Sequence, residues 1–154
     1  MNEGNRQNCA NSPWVQAANR FIRNRGTNTV QRARVATVEF LLENGHCGIN
    51  NRTSIDSILG HLGQQNIHMS REQFQNQVLV ELKRERIVAT LVYPGPRGGV
   101  FIPCAEDDIR QVATQLISRI IQELTNLEGV TRQTRSHNTV TSLRQQAELA
   151  KRRI

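Results

Sequence analysis

Residues 71–86, REQFQNQVLVELKRER, set amide and basic side chains at helical spacing. With Phe74 as origin and about 100° per residue, Phe74, Val78 and Leu82 fall together and Gln73, Asn76, Gln77, Val80, Lys83 and Arg84 collect opposite. Amides of this kind can bond adenine through two hydrogen bonds, a valine methyl can meet the methyl of thymine, and Lys or Arg suits phosphate or guanine. Arg71 stands at the start of the same helix, where an anion is favoured. A merely solvated face is the competing reading, because Gln and Asn are frequent throughout the chain.

The second chemical candidate is YPGPRGGVFIP (Tyr93 to Pro103). A phosphate-cradling loop needs G-x-x-x-x-G-K-[ST], or G-x-G-x-x-G opening a helix. This stretch has neither pattern and leads into VFIP, a strand-like run, so it reads as a hairpin tip that presents Arg97. Cys47 beside His46 is the one hint of a nucleophile, but neighbouring side chains on extended backbone point apart. Two soft ligands are too few for a metal, and no C-x-x-C is present. Glu106, Asp107 and Asp108 are explained by a helix start, where negative charge is favoured. The expectation is a protein that is not an enzyme, with no cofactor and no metal.

These residues need elements to hold them. Ser12-Pro13 is a helix start, followed by apolar Trp14, Ala17, Ala18, Phe21 and Ile22 at helical spacing. A second helix is expected over about 30–44, with Gly45 at its C-cap. HCGIN (46–50) suits a brief strand. Thr53 and Asp56 resemble a capping box ahead of Ile55, Ile58, Leu59 and Leu62, and Gly63 ends that helix. Ser70 and Gln73 form a second capping box for a helix over 71–86. IVATLVY (87–93) reads as a strand and VFIP (100–103) as its partner. A long amphipathic helix follows over 105–129, with Ile109, Val112, Leu116, Ile120, Leu124 and Leu127 as a near-heptad seam. The basic tail, 130–154, has room for a short helix from about 140, but disorder or order gained on binding is expected there, and 1–11 is expected to be disordered.

The 154 residues carry a net charge of +7, and their distribution is uneven. Residues 1–30 hold four arginines against one glutamate, 105–129 hold two basic against five acidic residues, and 130–154 hold six basic against one acidic. Such a balance attracts polyanions, most often nucleic acid, although it also suits a solvating surface. No apolar run approaches the roughly 18 residues of a membrane span, and the polar amino terminus lacks the apolar stretch of a signal peptide. No membrane partner and a cytoplasmic or nucleoid-associated location are expected. Three dispersed cysteines, Cys9, Cys47 and Cys104, argue against a disulfide framework.

Helix, short strand, helix, connector, helix, strand, Gly/Pro loop and strand over 30–104, with the RGGVFIP loop as wing, resembles the winged-helix family of helix-turn-helix DNA-binding domains. The connector from Gly63 to Ser70 is longer than the three- or four-residue turn of the simplest motif. The resemblance implies a mostly α (α+β) fold, a winged helix-turn-helix with a small β-hairpin wing. It is flanked by an amino-terminal helix with its linker (12–29) and the long carboxyl-terminal helix. It implies that double-stranded DNA is the partner, with helix 71–86 in the major groove and the 94–99 wing on the backbone or minor groove. Arg71, Gln73, Asn76, Gln77, Val80, Lys83, Arg84 and Arg97 are then the DNA-binding residues, and Arg32 and Arg34 are weaker phosphate candidates. A transcriptional regulator or a replication or partition accessory factor uses such a module, as a homodimer through 106–128. The tail from Arg132 to Arg153 would add salt-sensitive affinity. A winged helix used for protein–protein contact or as a scaffold, without DNA, is the alternative from another class, and in it Val80 and the apolar seam meet a protein.

Overall fold

The computed structural model describes residues 9–24, 26–92 and 98–154. Helix α1 (Pro13–Phe21) opens as its residue types require: the Ser12 hydroxyl accepts from the Val15 N–H at 3.4 Å, and Pro13 occupies the first turn. In α2 (Thr29–Glu43), Asn28 Oδ1 caps the Gln31 N–H at 2.8 Å, and Gly45 follows with φ +69°, a conformation that favours glycine. Helix α3 (Ile55–Gln64) is capped by Ser54, which accepts from the Ser57 N–H at 3.1 Å. The expected Thr53–Asp56 box is therefore displaced by one residue. Thr53 is engaged elsewhere, exchanging backbone hydrogen bonds of 2.9 and 2.8 Å with Val100.

Helix α4 is continuous through three segments, Arg71–Gln73, a π-helical turn over Phe74–Leu79, and Val80–Arg84. Its start is the expected capping box: the Ser70 hydroxyl accepts from the Gln73 N–H, and Gln73 Oε1 accepts from the Ser70 N–H. Strands β1 (Ala89–Leu91) and β2 (Gly99–Phe101) form an antiparallel pair in which Ala89 faces Phe101 and Leu91 faces Gly99. Residues 46–53 line the other side of β2. The strand expected at HCGIN is reduced to a single bridge between Cys47 and Ile102, followed by a 3-10 turn over Ile49–Asn51. Gly99 makes this close approach possible, because a Cβ there would stand 2.7 Å from the Thr53 carbonyl oxygen.

The core under these elements holds Leu41 of α2, Ile58 and Leu62 of α3, Phe74, Val78, Leu79 and Leu82 of α4, and Val100 and Ile102 of the hairpin, all buried. Burial of each large side chain contributes roughly 1.5–3 kcal/mol relative to exposure. Val15 and Ala18 of α1 belong to the same cluster. Two further ties hold α1: the Ser12 hydroxyl donates to the Pro103 carbonyl at 3.1 Å, and Cys9 is joined to Cys104 by a disulfide. The reading against disulfides is thereby corrected. The two residues lie 95 apart in sequence, and only the folded chain brings them together.

Helix α5 (Glu106–Thr131) begins at the end of the first compact unit, which closes at Asp108. Asp108 is buried, and its carboxylate accepts from the backbone N–H groups of Ile49 (3.0 Å), Cys104 (2.7 Å) and Ala105 (3.2 Å). The acidic cluster thus serves the helix start, in keeping with the dipole argument.

The second unit runs from Ile109 to Ile154. Its tail departs from the expected lack of structure: residues His137–Lys151 form helix α6. The tie is polar. Glu128 on α5 accepts from the Thr141 hydroxyl at 2.6 Å and from the Arg144 Nε at 2.6 Å, and Arg144 also reaches Glu148 at 2.7 Å. The Arg144 guanidinium, then the Thr141 hydroxyl, hold the Glu128 carboxyl below its ordinary value. A carboxylate lowered on folding stabilises fully above the unfolded glutamate range and loses that contribution as pH falls through its folded value. Acid titration of helicity by circular dichroism should show a loss as pH falls below the unfolded glutamate range, and Glu128→Gln should reduce it. An identical acid limb in the variant would refute this role. Among the described residues, no helix is long and apolar enough to cross a membrane.

Candidate functional site

Between the start of α3, the exposed side of α4 and the β-hairpin lies an open cleft of about 620 Å³. Ser54 and Asp56 come from the α3 start, Arg71, Gln75, Asn76, Val80 and Lys83 from α4, and Thr90 to Val92 with Gly98 to Val100 from the hairpin. The cleft exists because α4 buries Phe74, Val78 and Leu82 while the hairpin is held down on its far edge by residues 46–53.

Four of the eight residues singled out from sequence share this cleft: Arg71, Asn76, Val80 and Lys83. Arg71 is exposed and pairs with Asp56 at 2.9 Å, a surface ion pair of little net strength. Val80 is 37% exposed, and Asn76 and Lys83 are exposed. Gln73 is placed differently, since its side-chain oxygen is held by the Ser70 N–H in the capping box. Gln77 and Arg84 lie outside the cleft lining. Arg84 Nη1 is paired with Glu81 at 2.7 Å. Arg97 falls outside the described residues.

Gln75 and Thr90 were not singled out from sequence, and both line the cleft. Gln75 was missed because the helical wheel assumed one period throughout. A π turn takes in one residue more than an α turn, so Val78 and Leu79 are buried side by side and the exposed side is offset. The adjacent apolar pair Val78-Leu79 was the available signal. Arg34, taken from sequence as a phosphate candidate, donates from Nε and Nη2 to the Gln77 carbonyl at 3.0 and 2.9 Å.

The nucleophile candidate is differently occupied. His46 Nδ1 lies 2.8 Å from the Asn51 carbonyl oxygen. Burial pushes the Cys47 thiol up, which favours the neutral form and lowers its reactivity.

The described residues therefore define a mostly helical α+β protein with a small antiparallel hairpin beside a helix–connector–helix, compatible with a winged-helix-like architecture. The chain is similar to the "Putative control protein C.MjaVP" of Methanocaldococcus jannaschii (strain ATCC 43067 / DSM 2661 / JAL-1 / JCM 10045 / NBRC 100440). The two are 51% identical over 124 residues, which span 79% of this chain and 76% of that protein. The chain belongs to the family of that control protein. No family model matches it, and no solved structure does.

Proposed function

We propose that the protein is a winged-helix regulator that binds double-stranded DNA through the cleft-side surface of α4, with the hairpin lying along the backbone or minor groove. The observation that carries this reading is the convergence of amides, a valine and two cations on one open cleft wall: Gln75, Asn76, Val80, Arg71 and Lys83. Amides and the valine meet base edges, while Arg71 and Lys83 meet phosphates. The name of the related control protein supports a regulatory role. The protein acts by binding, not by catalysis, and works in the cytoplasm or on the nucleoid.

Helix α5 supplies the homodimer contact in this reading. Ile109, Leu116, Ile120 and Leu127 are between 38% and 51% exposed along one seam, an apolar stripe that a second copy can cover. Equilibrium sedimentation of the intact chain and of Ile120→Arg checks this: a wild-type monomer at tens of micromolar would rule it out.

The cleft reading is tested by salt titration of duplex binding. Arg71→Ala and Lys83→Ala should each weaken binding similarly on all sequences and reduce the slope of log affinity against log salt by about 1. Unchanged slopes in both variants would place the phosphate contacts elsewhere. A chain that binds no duplex but captures a protein through Val80 and the α5 seam would favour the protein-contact alternative.

A further inference from the structure

We infer that Arg34, which lies on α2 outside the cleft, is a positioning residue that determines which DNA sequences the protein prefers, by fixing the π turn of α4. This rests on the DNA reading above and concerns how that surface is set.

A π turn donates each N–H five residues back, as Val80 N does to the Gln75 carbonyl. When the ladder returns to the four-residue pattern one acceptor is skipped, so such turns are weaker than α-helix and need support from outside. Within this stretch the Gln77 carbonyl takes two donors from the Arg34 guanidinium, at 3.0 and 2.9 Å. The bonds are charge-assisted, and both come from one rigid planar fork, which a lysine ammonium lacks. Helix α2 packs directly on the π turn, and Arg34 is half-buried there between buried Ala33 and Val35.

The consequence is one of register. One extra residue in the turn rotates everything before it by about 100° relative to everything after it. With the π turn in place, Gln75 and Asn76 share a wall with Val80 and Lys83. In an uninterrupted α-helix Asn76 would still share a face with Val80 and Lys83, but Gln75 would stand about 140° from Val80 and leave that wall, so a different set of side chains would face the bases. Arg34 therefore acts on sequence preference without touching nucleic acid.

The experiment uses the full chain as wild type, Arg34→Met and Arg34→Lys. Duplexes are first selected from a randomised pool with the wild type, and binding to the selected and a scrambled duplex is then followed by anisotropy across a range of salt. Arg34→Met should lose at least about tenfold in the ratio of selected to scrambled affinity, the size of one lost bidentate base contact. Its affinity for the scrambled duplex and its salt slope should stay as in the wild type, and Arg34→Lys should recover part of the ratio. An unchanged ratio in Arg34→Met overturns the inference. So does an intact ratio with a salt slope reduced by about 1, which would make Arg34 a direct phosphate contact. If Arg34→Met fails to fold by circular dichroism, Arg34→Lys decides on its own: a reduced ratio at an unchanged slope supports the inference, and an unchanged ratio overturns it. Should the wild type bind duplex without selecting any sequence, this inference falls and duplex binding stands; should it bind none, both fall.

Discussion

Asn76→Ala should lower discrimination between a selected and a scrambled duplex by about 1–3 kcal/mol, the range of one bidentate base contact. Affinity for the scrambled duplex should change little. The reasoning starts from chemistry: of the amides on α4, Asn76 is exposed on the cleft wall with Val80 and Lys83. It carries one donor and one acceptor at the reach adenine requires. Gln73 differs, because its oxygen is held by the Ser70 N–H at 2.9 Å and a bidentate contact would first have to open the helix cap. Competition anisotropy on the two duplexes checks the prediction. An equal loss on both would make Asn76 a general contact, not one that reads sequence.

The second large effect concerns stability. Asp108→Ala should destabilise the amino-terminal unit by about 3 kcal/mol, because hydrogen bonds to a charged acceptor contribute roughly 1.5–3 kcal/mol and buried N–H groups left unmade carry a penalty of their own. The Asp108 carboxylate gathers the N–H groups of Ile49, Cys104 and Ala105, so one side chain joins the 3-10 turn after α2, the end of the hairpin and the first turn of α5. Asp108→Asn keeps the shape and one acceptor and should lose less. Urea unfolding followed by the fluorescence of Trp14 measures both. A midpoint for Asp108→Ala equal to that of the wild type would show that water replaces the carboxylate at no cost.

Much of the helical frame was legible because its signals are local. Ser12-Pro13 and the Ser70/Gln73 box act within one turn, and each is found where the residue types put it. Thr53 misled because Ser54 beside it is an equally good cap, and the choice was made by the distant Val100, which claims the Thr53 backbone. The tail was misread for a related reason. His137–Lys151 is mostly polar, and Glu128, which its Thr141 and Arg144 bond, lies 16 residues from Arg144. The Cys9–Cys104 pairing likewise needs the folded chain.

The candidate site was half legible. Periodicity put Asn76, Val80 and Lys83 on the exposed side of α4, and the structure gathers them with Arg71 in the cleft. It did not reveal Gln75, because a single 100° period cannot register a turn with an extra residue. Nor did it show that Arg34 serves the helix backbone, since a basic residue looks the same in sequence whether its partner is a phosphate or a carbonyl.

The most direct test of the central claim is fluorescence anisotropy of the intact chain with a labelled random duplex, measured from low to high salt. The account predicts binding at micromolar protein or below in low salt, weakening steadily as salt rises with the negative log–log slope of counterion release. No binding at micromolar protein in low salt would contradict it.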